Sequence, residues 1–191
     1  MRTITRIILH CSASLAGVDL RASDIRAYHT NPVSQGGRGW KNPGYHYVVE
    51  LSGKVVQILP ESCIANGVKG YNQESIHICY VGGLRPHPIP PEGGRLKSPS
   101  VATPAPTRAT TLSSSEVSKQ LSPSGESVGG PVPANTMTPR QRAAIVRLLT
   151  DPHRRFPEAT LHGHNEFAAK ACPCFRVREE FPEFADWSAI K

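Results

Sequence analysis

The distribution of apolar residues predicts short β-strands in the first part of the chain. Val, Ile, Leu and aromatic side chains alternate or cluster in four short segments, as is typical of strands. These segments are residues 5–10, 45–51, 55–59 and 76–81. Ser52 and Gly53 fall between two of them and predict a hairpin turn.

Apolar residues at helical spacing predict helices in both halves of the chain. A brief helix fits residues 23–29, with Ser23 or Asp24 as its N-cap. In the second half, the run 138–141 (Thr-Pro-Arg-Gln) supplies an N-cap, a proline at the first helical position and the glutamine of a capping box. The apolar residues that follow carry this helix to about Arg154.

Two further elements complete the predicted fold. A short strand is expected at residues 160–162 and a C-terminal helix at residues 176–181. The short strands and the separate helices together predict an α+β domain. In this fold class a single domain has a central mixed β-sheet flanked by helices.

Composition changes abruptly between residues 85 and 136. Of these 52 residues, 29 are Pro, Gly, Ser or Thr, and none is aromatic. Such a stretch cannot build a packed core, so we interpret it as a disordered or loosely ordered surface insertion. The 191 residues are therefore predicted to form one domain, 1–191, interrupted at about 85–136.

The charge balance indicates a basic protein. Lys and Arg number 22 against 15 Asp and Glu, a formal net charge of +7. An anionic partner would be a nucleic acid, a membrane surface or a cell-wall polymer. Because the basic residues are scattered and form no run of five, we expect no nucleic-acid partner. No window approaches the roughly 18 apolar residues of a membrane span, so we expect no stable membrane association. We also expect a monomer.

The cysteines and the N-terminus bear on the cell compartment. Five cysteines are an odd number, and Cys79 lies in an apolar run, so the pattern is not a disulfide framework and fits a reducing compartment. Only about three apolar residues precede His10, too few for a signal peptide. We expect synthesis in the cytoplasm, followed by release or delivery if the substrate lies outside the membrane.

A scattered set of side chains could hold a catalytic metal. His10 ends one predicted strand, His164 follows another, and Cys172 lies in a loop of small residues. No zinc-finger spacing is present, and Cys172 and Cys174 are too close for a CxxC knuckle, which favours three ligands and one open position. From the residues alone, His10 could equally be an ordinary strand-end histidine. Cys172 could equally be the nucleophile of a cysteine peptidase.

Several motifs, in order along both halves, resemble one enzyme family. They are Leu-His-Cys-Ser-Ala at 9–13, Trp-Lys-Asn-Pro-Gly-Tyr-His-Tyr at 40–47, Lys-Gly-Tyr-Asn at 69–72, Ser-Ile at 75–76, Val-Gly-Gly at 81–83, Thr-Pro at 138–139, Gly-His-Asn-Glu at 163–166 and Lys-Ala-Cys-Pro at 170–173. The chain thereby resembles the phage lysozyme type of N-acetylmuramoyl-L-alanine amidase, a relative of peptidoglycan recognition proteins. The resemblance covers about two thirds of the chain, residues 4–83 and 137–182.

This resemblance implies a zinc enzyme acting on peptidoglycan. One Zn²⁺ would be bound by His10, His164 and Cys172, while Tyr45 and Lys170 serve the reaction. Zinc held by three side chains lowers the pKa of a bound water from about 15.7 toward roughly 7. The bond hydrolysed would be the amide between the lactyl group of N-acetylmuramic acid and L-alanine. The alternative is a non-catalytic peptidoglycan-binding module, although such receptors lack the cysteine ligand.

The chain departs from the family pattern at two positions. Gly67 stands where the family has a groove histidine, and His77 stands where it has a glycine. We expect both departures to affect substrate contacts and not the metal.

Other side chains are secondary candidates. Cys174 could compete with Cys172 as ligand, and Glu166 is a minor candidate for a base. His46 should point away from Tyr45 into a packed position, because neighbouring residues of a strand face opposite sides. Two aromatic residues are weak candidates for groove residues, namely Trp40 and Tyr71.

Overall fold

A computed structural model describes residues 2–87 and 130–184 of the chain. All the elements in this part belong to one unit, formed by residues 1–86 and 131–191. The strands are β1 (Arg6–Cys11), β2 (Ser14–Leu15), β3 (Tyr47–Val49), β4 (Val55–Gln57), β5 (Ser75–Tyr80), β6 (Gly83–Arg85), β7 (Val132–Pro133) and β8 (Thr160–Gly163). The α-helices are α1 (Ala22–Thr30), α2 (Pro139–Arg155) and α3 (Val177–Glu180).

Five strands form the main sheet, in the order β4-β3-β5-β1-β8. β1 is parallel to both β5 and β8, β3 is parallel to β5, and β4 is antiparallel to β3. The sheet is therefore mixed, as predicted, and with the helices it confirms the α+β class. The central strands β1 and β5 are buried along almost their whole length, as parallel strands covered on both faces are.

The two faces of the main sheet pack against different helices. Alternate residues of β1 and β5 join the α2 side chains in the larger core, which includes Ile7, Leu9, Ile76, Ile78, Tyr80, Ala144, Ile145 and Leu149. On the opposite face, Cys79 packs with α1 in a second and smaller core. Because side chains alternate along a strand, His10 and His77 face this second side.

The start of α2 confirms the predicted capping box. The Gln141 backbone N–H donates to Thr138 Oγ1 at 3.2 Å, and the Thr138 N–H donates to Gln141 Oε1 at 2.9 Å. The buried Gln141 amide also donates to the carbonyl oxygens of Val49 and Val81. The cap therefore fixes the helix to the ends of β3 and β5.

The predicted cap of the first helix is wrong. α1 begins at Ala22 with Arg21 as N-cap, earlier than Ser23 or Asp24 would allow. The Asp24 carboxylate instead accepts a hydrogen bond from the Arg21 N–H at 3.0 Å. Glu50, which follows β3, accepts from the Ala22 N–H at 3.0 Å. Local sequence could not show this partner, because it lies 28 residues further along the chain.

Several predicted elements have different lengths in the structure. β3 is shorter than the predicted strand 45–51, and α3 is shorter than the predicted helix 176–181. The hairpin turn between β3 and β4 is confirmed: the Gly53 N–H donates to the Glu50 carbonyl at 2.8 Å, and Gly53 has a φ of 86°. That positive φ is the conformation that favours glycine.

A second, three-stranded sheet in the order β2-β6-β7 was not predicted. Its strands are two or three residues long, too short for a periodic signal. Arg85 pairs with Val132 across β6 and β7. The predicted insertion 85–136 thus begins in β6 and contains β7 near its second end, and residues 88–129 lie outside the described part.

Across residues 2–87 and 130–184, the helices are too short or too polar to cross a lipid bilayer.

Candidate metal centre

Two histidines meet at the carboxyl ends of neighbouring parallel strands. His10 is the penultimate residue of β1, and His164 follows the last residue of β8. Leu9 pairs with Gly163, so the residues that follow them, His10 and His164, lie side by side. The Nδ1 atoms of His10 and His164 are 3.1 Å apart, and the two side chains are 1% and 9% exposed.

Cys172 completes the group. Its Sγ lies 3.8 Å from His10 Nδ1, and the Cys11 backbone N–H donates to this sulfur at 3.2 Å. The Cys172 loop is held by the Tyr80 hydroxyl, which donates to the Pro173 carbonyl at 2.8 Å. The donor atoms of His10, His164 and Cys172 all lie within 4.8 Å of one another. The structure therefore brings together the three ligands that the sequence predicted.

This donor set can hold a metal ion. Two imidazole nitrogens and one sulfur around a tetrahedral ion with bonds of about 2.0–2.3 Å are separated by roughly 3.3–3.6 Å. The separations from His10 Nδ1, 3.1 Å to His164 Nδ1 and 3.8 Å to Cys172 Sγ, lie on either side of that range, and all three donor atoms lie within 4.8 Å of one another. Three side chains leave a fourth position for a water or a substrate atom, the arrangement typical of catalytic sites.

Burial keeps both histidines neutral. The pKa of His10 lies well below its usual value, chiefly because burial disfavours the charged ring, and also because of His77, His164 and Lys170. Burial, followed by the Lys170 charge, also lowers the pKa of His164. A metal ligand must be an unprotonated imidazole, so both rings are ready to bind at neutral pH.

Tyr45 stands beside this group. Its ring centroid is 5.0 Å from that of His10 and 5.3 Å from that of His29. Burial raises the pKa of Tyr45 well above its usual value, so the phenol keeps its proton at neutral pH. Tyr45 lies before the first residue of β3, Tyr47, rather than within the strand as predicted.

Lys170 is exposed on the loop that leads to Cys172. Its backbone N–H donates to the Ala168 carbonyl at 2.7 Å. The ammonium is close enough that its charge lowers the pKa of both His10 and His164. The side chain therefore adds positive potential to the centre.

Two other candidates are engaged elsewhere. Cys174 Sγ lies 3.1 Å from the Gly83 carbonyl and 3.7 Å from Cys11 Sγ, outside the His10 group. The Glu166 carboxylate accepts from the Gly163 N–H and contacts His162 Nδ1, both at 2.7 Å. It thereby caps the short turn at His164–Glu166.

Sequence reasoning placed His77 among the substrate contacts and gave it no part in the metal centre. Its Nδ1 lies 3.0 Å from His10 Nε2, so this position contacts a predicted metal ligand. The contact corrects the expectation that departures from the family pattern concern the substrate alone. The sequence places His77 on the same face of an apolar strand as Cys79, but only the strand pairing in the structure brings that face beside His10.

His46 is packed, as predicted, but it does not point away from the group that Tyr45 contacts, because its ring lies on His77, a neighbour of His10. It is fully buried, and its Nδ1 accepts from the His77 backbone N–H at 3.0 Å. Its ring stacks on that of His77, with centroids 5.9 Å apart and planes 6° apart.

The two weak groove candidates have aromatic and cationic neighbours. Trp40 stacks on His29 with ring centroids 5.1 Å apart, and the Arg38 guanidinium lies over it. Tyr71 is 38% exposed, and its ring centroid lies 4.6 Å from that of Phe167.

Sequence comparison relates most of the chain to one family. The profile of the N-acetylmuramoyl-L-alanine amidase family, Amidase_2, matches residues 1–175. The endolysin of Enterobacteria phage K11 is 26% identical over 174 residues, which cover 91% of this chain and 83% of that protein. The endolysin of Escherichia phage T7 is 26% identical over 172 residues, covering 90% of this chain and 82% of that protein.

Solved structures share the fold. The Ph2119 endolysin from a Thermus scotoductus bacteriophage has a TM-score of 0.57 and 23% identity, covering all of this chain and 88% of that one. Drosophila PGRP-LB has a TM-score of 0.56 and 16% identity, covering all of this chain and 85% of that one. With the profile match over most of its length, the chain belongs to the type 2 family of N-acetylmuramoyl-L-alanine amidases.

Proposed function

We propose that the protein is a zinc-dependent amidase that lyses bacterial cell walls. It hydrolyses the amide between the lactyl group of N-acetylmuramic acid and the L-alanine of the peptidoglycan stem peptide. The observation that carries this proposal is the convergence of His10, His164 and Cys172, whose donor atoms lie within 4.8 Å of one another at the ends of two strands. Family membership supports the amidase class.

Zinc suits this site better than a hard cation such as Mg²⁺ or Ca²⁺. Two neutral imidazoles and one sulfur are ligands that zinc prefers, whereas Mg²⁺ and Ca²⁺ prefer oxygen. The Cys11 N–H donates to Cys172 Sγ at 3.2 Å and so helps to hold that ligand in place. A zinc ion bound here supplies Lewis-acid activation of water and of the scissile carbonyl.

Tyr45 and Lys170 assist the hydrolysis. Attack by water on the amide carbonyl produces a tetrahedral species with a negative oxygen, and Lys170 stabilises that charge as it develops. Its charge already reaches the ligands, since it lowers the pKa of His10 and His164. Tyr45 keeps its proton and donates a hydrogen bond to the reacting oxygen. The C–N bond then breaks as the proton released by the attacking water reaches the leaving amine.

Peptidoglycan is the proposed partner, and the protein is proposed to act as a monomer on the cell wall after synthesis in the cytoplasm. One fold relative, a Drosophila PGRP-LB variant with a TM-score of 0.59, has been solved in complex with tracheal cytotoxin. The related phage proteins are endolysins, which supports a role in lysis. The presence of Cys172 favours an enzyme over a receptor module.

Digestion of purified sacculi tests the proposal. The protein is incubated with sacculi, with and without a zinc chelator, and the products are identified by mass spectrometry. We expect free stem peptides that begin with L-alanine, no new reducing sugar ends, and loss of activity with chelator that added Zn²⁺ restores. Full activity in the chelator would contradict the zinc proposal and favour a cysteine nucleophile, whereas binding to sacculi without cleavage would favour the receptor module.

Tyr45→Phe and Lys170→Met separate the two assisting roles. Each removes one functional group while keeping a similar side-chain volume. We expect each variant to bind one Zn²⁺ per chain but to lose on the order of 100-fold in hydrolysis rate. Unchanged rates would remove that residue from the proposed mechanism.

A further inference from the structure

We infer that His77 is a positioning residue for the metal centre. Its ring holds the His10 ring through a buried hydrogen bond, and the absence of a side chain at Gly67 leaves the space that the His77 ring requires. The inference rests on the proposed function, since it assigns a partner to one of the proposed zinc ligands. It concerns residues that differ from the pattern described for the family.

The two histidines face each other across adjacent strands. β1 and β5 are parallel, with Ile8 opposite His77 and His10 opposite Cys79, so both rings lie on the same face. His77 Nδ1 is 3.0 Å from His10 Nε2. His10 and His77 are 1% and 0% exposed, so water does not compete for this bond.

The direction of the bond follows from the metal site. His10 turns Nδ1 toward His164 Nδ1 and Cys172 Sγ, so Nδ1 is its ligand atom. A neutral imidazole that binds a metal through one nitrogen carries its proton on the other. His10 Nε2 therefore donates to His77 Nδ1, and the bond selects the tautomer and the ring orientation that metal binding needs.

This arrangement leaves a buried group without a partner. When Nδ1 of His77 accepts, its proton resides on Nε2, and no hydrogen-bond partner for Nε2 lies within residues 2–87 and 130–184. Leaving a buried N–H without a hydrogen-bond acceptor is unfavourable. A side chain that only filled space would do so at lower cost if it were apolar.

Gly67 makes room for the His77 ring. A Cβ atom added at Gly67 would stand 2.3 Å from His77 Nδ1, closer than any real contact. The φ of Gly67 is not in the left-handed region, so the backbone does not itself require glycine. The ring is fixed from the other side by its stacking on His46. Gly67 and His77 are therefore a matched pair.

Two substitutions at His77 separate the hydrogen bond from packing. Leucine (His77→Leu) has a similar volume but no acceptor, whereas asparagine (His77→Asn) keeps an acceptor oxygen near the place of Nδ1. Zn²⁺ affinity is measured by competition with a chromophoric chelator, and ligand geometry is measured from the absorption spectrum of the Co²⁺-loaded protein.

We expect His77→Leu to bind Zn²⁺ on the order of 10- to 100-fold more weakly and to change the Co²⁺ spectrum. His77→Asn should stay within about threefold of the parent, because the outer hydrogen bond is kept. Equal affinities and spectra for the parent and His77→Leu would overturn the inference, as would equal losses in both variants.

A second experiment tests whether Gly67 and the His77 ring depend on each other. It also tests the inference if His77→Leu fails to fold. Gly67→Ala should weaken Zn²⁺ binding in the parent because the added methyl displaces the ring. It should have no further effect in a His77→Ala background, where that ring is absent. Gly130→Ala is the control, since an added Cβ there meets nothing within 4 Å. Additive effects of Gly67→Ala and His77→Ala would overturn the pairing.

The Cys172→Ser variant separates this inference from the proposed function. If the parent binds no Zn²⁺, or Cys172→Ser binds it as well as the parent, the proposed site is wrong and the inference falls with it. If Cys172→Ser loses Zn²⁺ while His77→Leu keeps the parent affinity, the site stands and only the role of His77 is overturned.

Discussion

The two faces of the central strands differ in chemistry although they share one backbone. Toward α2, β1 and β5 present only apolar side chains and Tyr80 to a continuous core. Toward α1, the same strands present His10, His77 and Cys79, all buried. Because side chains alternate, one run of six residues builds a hydrophobic interior on one side and a polar centre on the other.

This comparison teaches how a small domain can bury several imidazoles. Removing polar rings from water is unfavourable, and their charged forms are disfavoured further. The apolar α2 side supplies free energy that offsets the cost, at roughly 25 cal/mol per Å² of apolar surface buried. The two faces should therefore respond differently to substitution. Changes on the histidine side should lower activity, whereas changes on the α2 side should lower the free energy of unfolding.

The largest expected effect lies on the histidine side. Cys172→Ala removes the sulfur ligand, and we expect hydrolysis of sacculi to fall by at least about 1000-fold because the metal is lost. The unfolding free energy of the metal-free protein should change by less than about 1 kcal/mol, since Cys172 is only partly buried. Turbidity assays and urea denaturation measure the two quantities. A variant that is inactive because it is unfolded would contradict the separation of roles.

Leu149→Ala probes the apolar side. Leu149 is fully buried in the α2 core, so its truncation should cost about 2–5 kcal/mol of unfolding free energy. The variant that remains folded should keep the parent Zn²⁺ affinity. Urea denaturation and chelator competition on the same sample test both statements. Weaker Zn²⁺ binding by the folded variant would show that the two faces are coupled.

Acid should destabilise the protein through its buried histidines. Burial, with a smaller contribution from the Arg38 charge, lowers the pKa of His29 to about 4. Burial also lowers the pKa of His46 to about 4, because it outweighs the opposing effect of the hydrogen bond to the Cys63 backbone. The unfolded chain takes up these protons near pH 6.5, so each histidine contributes stability that is complete above pH 6.5 and lost as the pH falls toward 4.

The expected slope is at most about 1.4 kcal/mol per pH unit for each of these two histidines. Metal-free protein is unfolded with urea between pH 7.5 and 5. Leu149→Ala serves as a control that should show the parent slope from a lower starting value, because the apolar side does not titrate. A flat profile would mean that these rings take up protons as readily in the folded protein as in the unfolded chain.

The smallest expected effect concerns the start of α2. Thr138→Ala removes the acceptor of the Gln141 N–H, and loss of an N-cap typically costs about 1 kcal/mol. Zn²⁺ affinity should be unchanged. Thr138→Ser keeps the hydroxyl and should recover most of the stability. Equal stabilities for Thr138→Ala and the parent would show that the Gln141 side chain alone fixes this helix end.

The sequence predicted most clearly what depends on near neighbours. The capping box at Thr138 and the apolar runs of β1 and β5 are local signals, and all three elements lie where they were predicted. The start of α1 was missed because Glu50, far along the chain, accepts from Ala22. The strands β6 and β7 were missed because two or three residues carry no periodicity.

Sequence motifs predicted which residues form the candidate metal centre, but not the contacts that surround those residues. Motifs singled out His10, His164 and Cys172, and the structure brings their donor atoms together. The contact between His77 and His10 depends on the register of β1 against β5, which no motif encodes. The clash that an added Cβ at Gly67 would make with His77 likewise appears only in three dimensions.

The pairing of Arg85 with Val132 has a consequence for the length of the chain between them. Cross-strand partners in an antiparallel pair have Cα atoms about 4.5–5.5 Å apart, so the connecting peptide departs and returns at one spot. The entropy of closing a loop grows only slowly, by about 0.6 kcal/mol for each doubling of its length. The connection between β6 and β7 can therefore vary widely in length at little cost in folding free energy. This makes it a suitable site for inserting an engineered peptide.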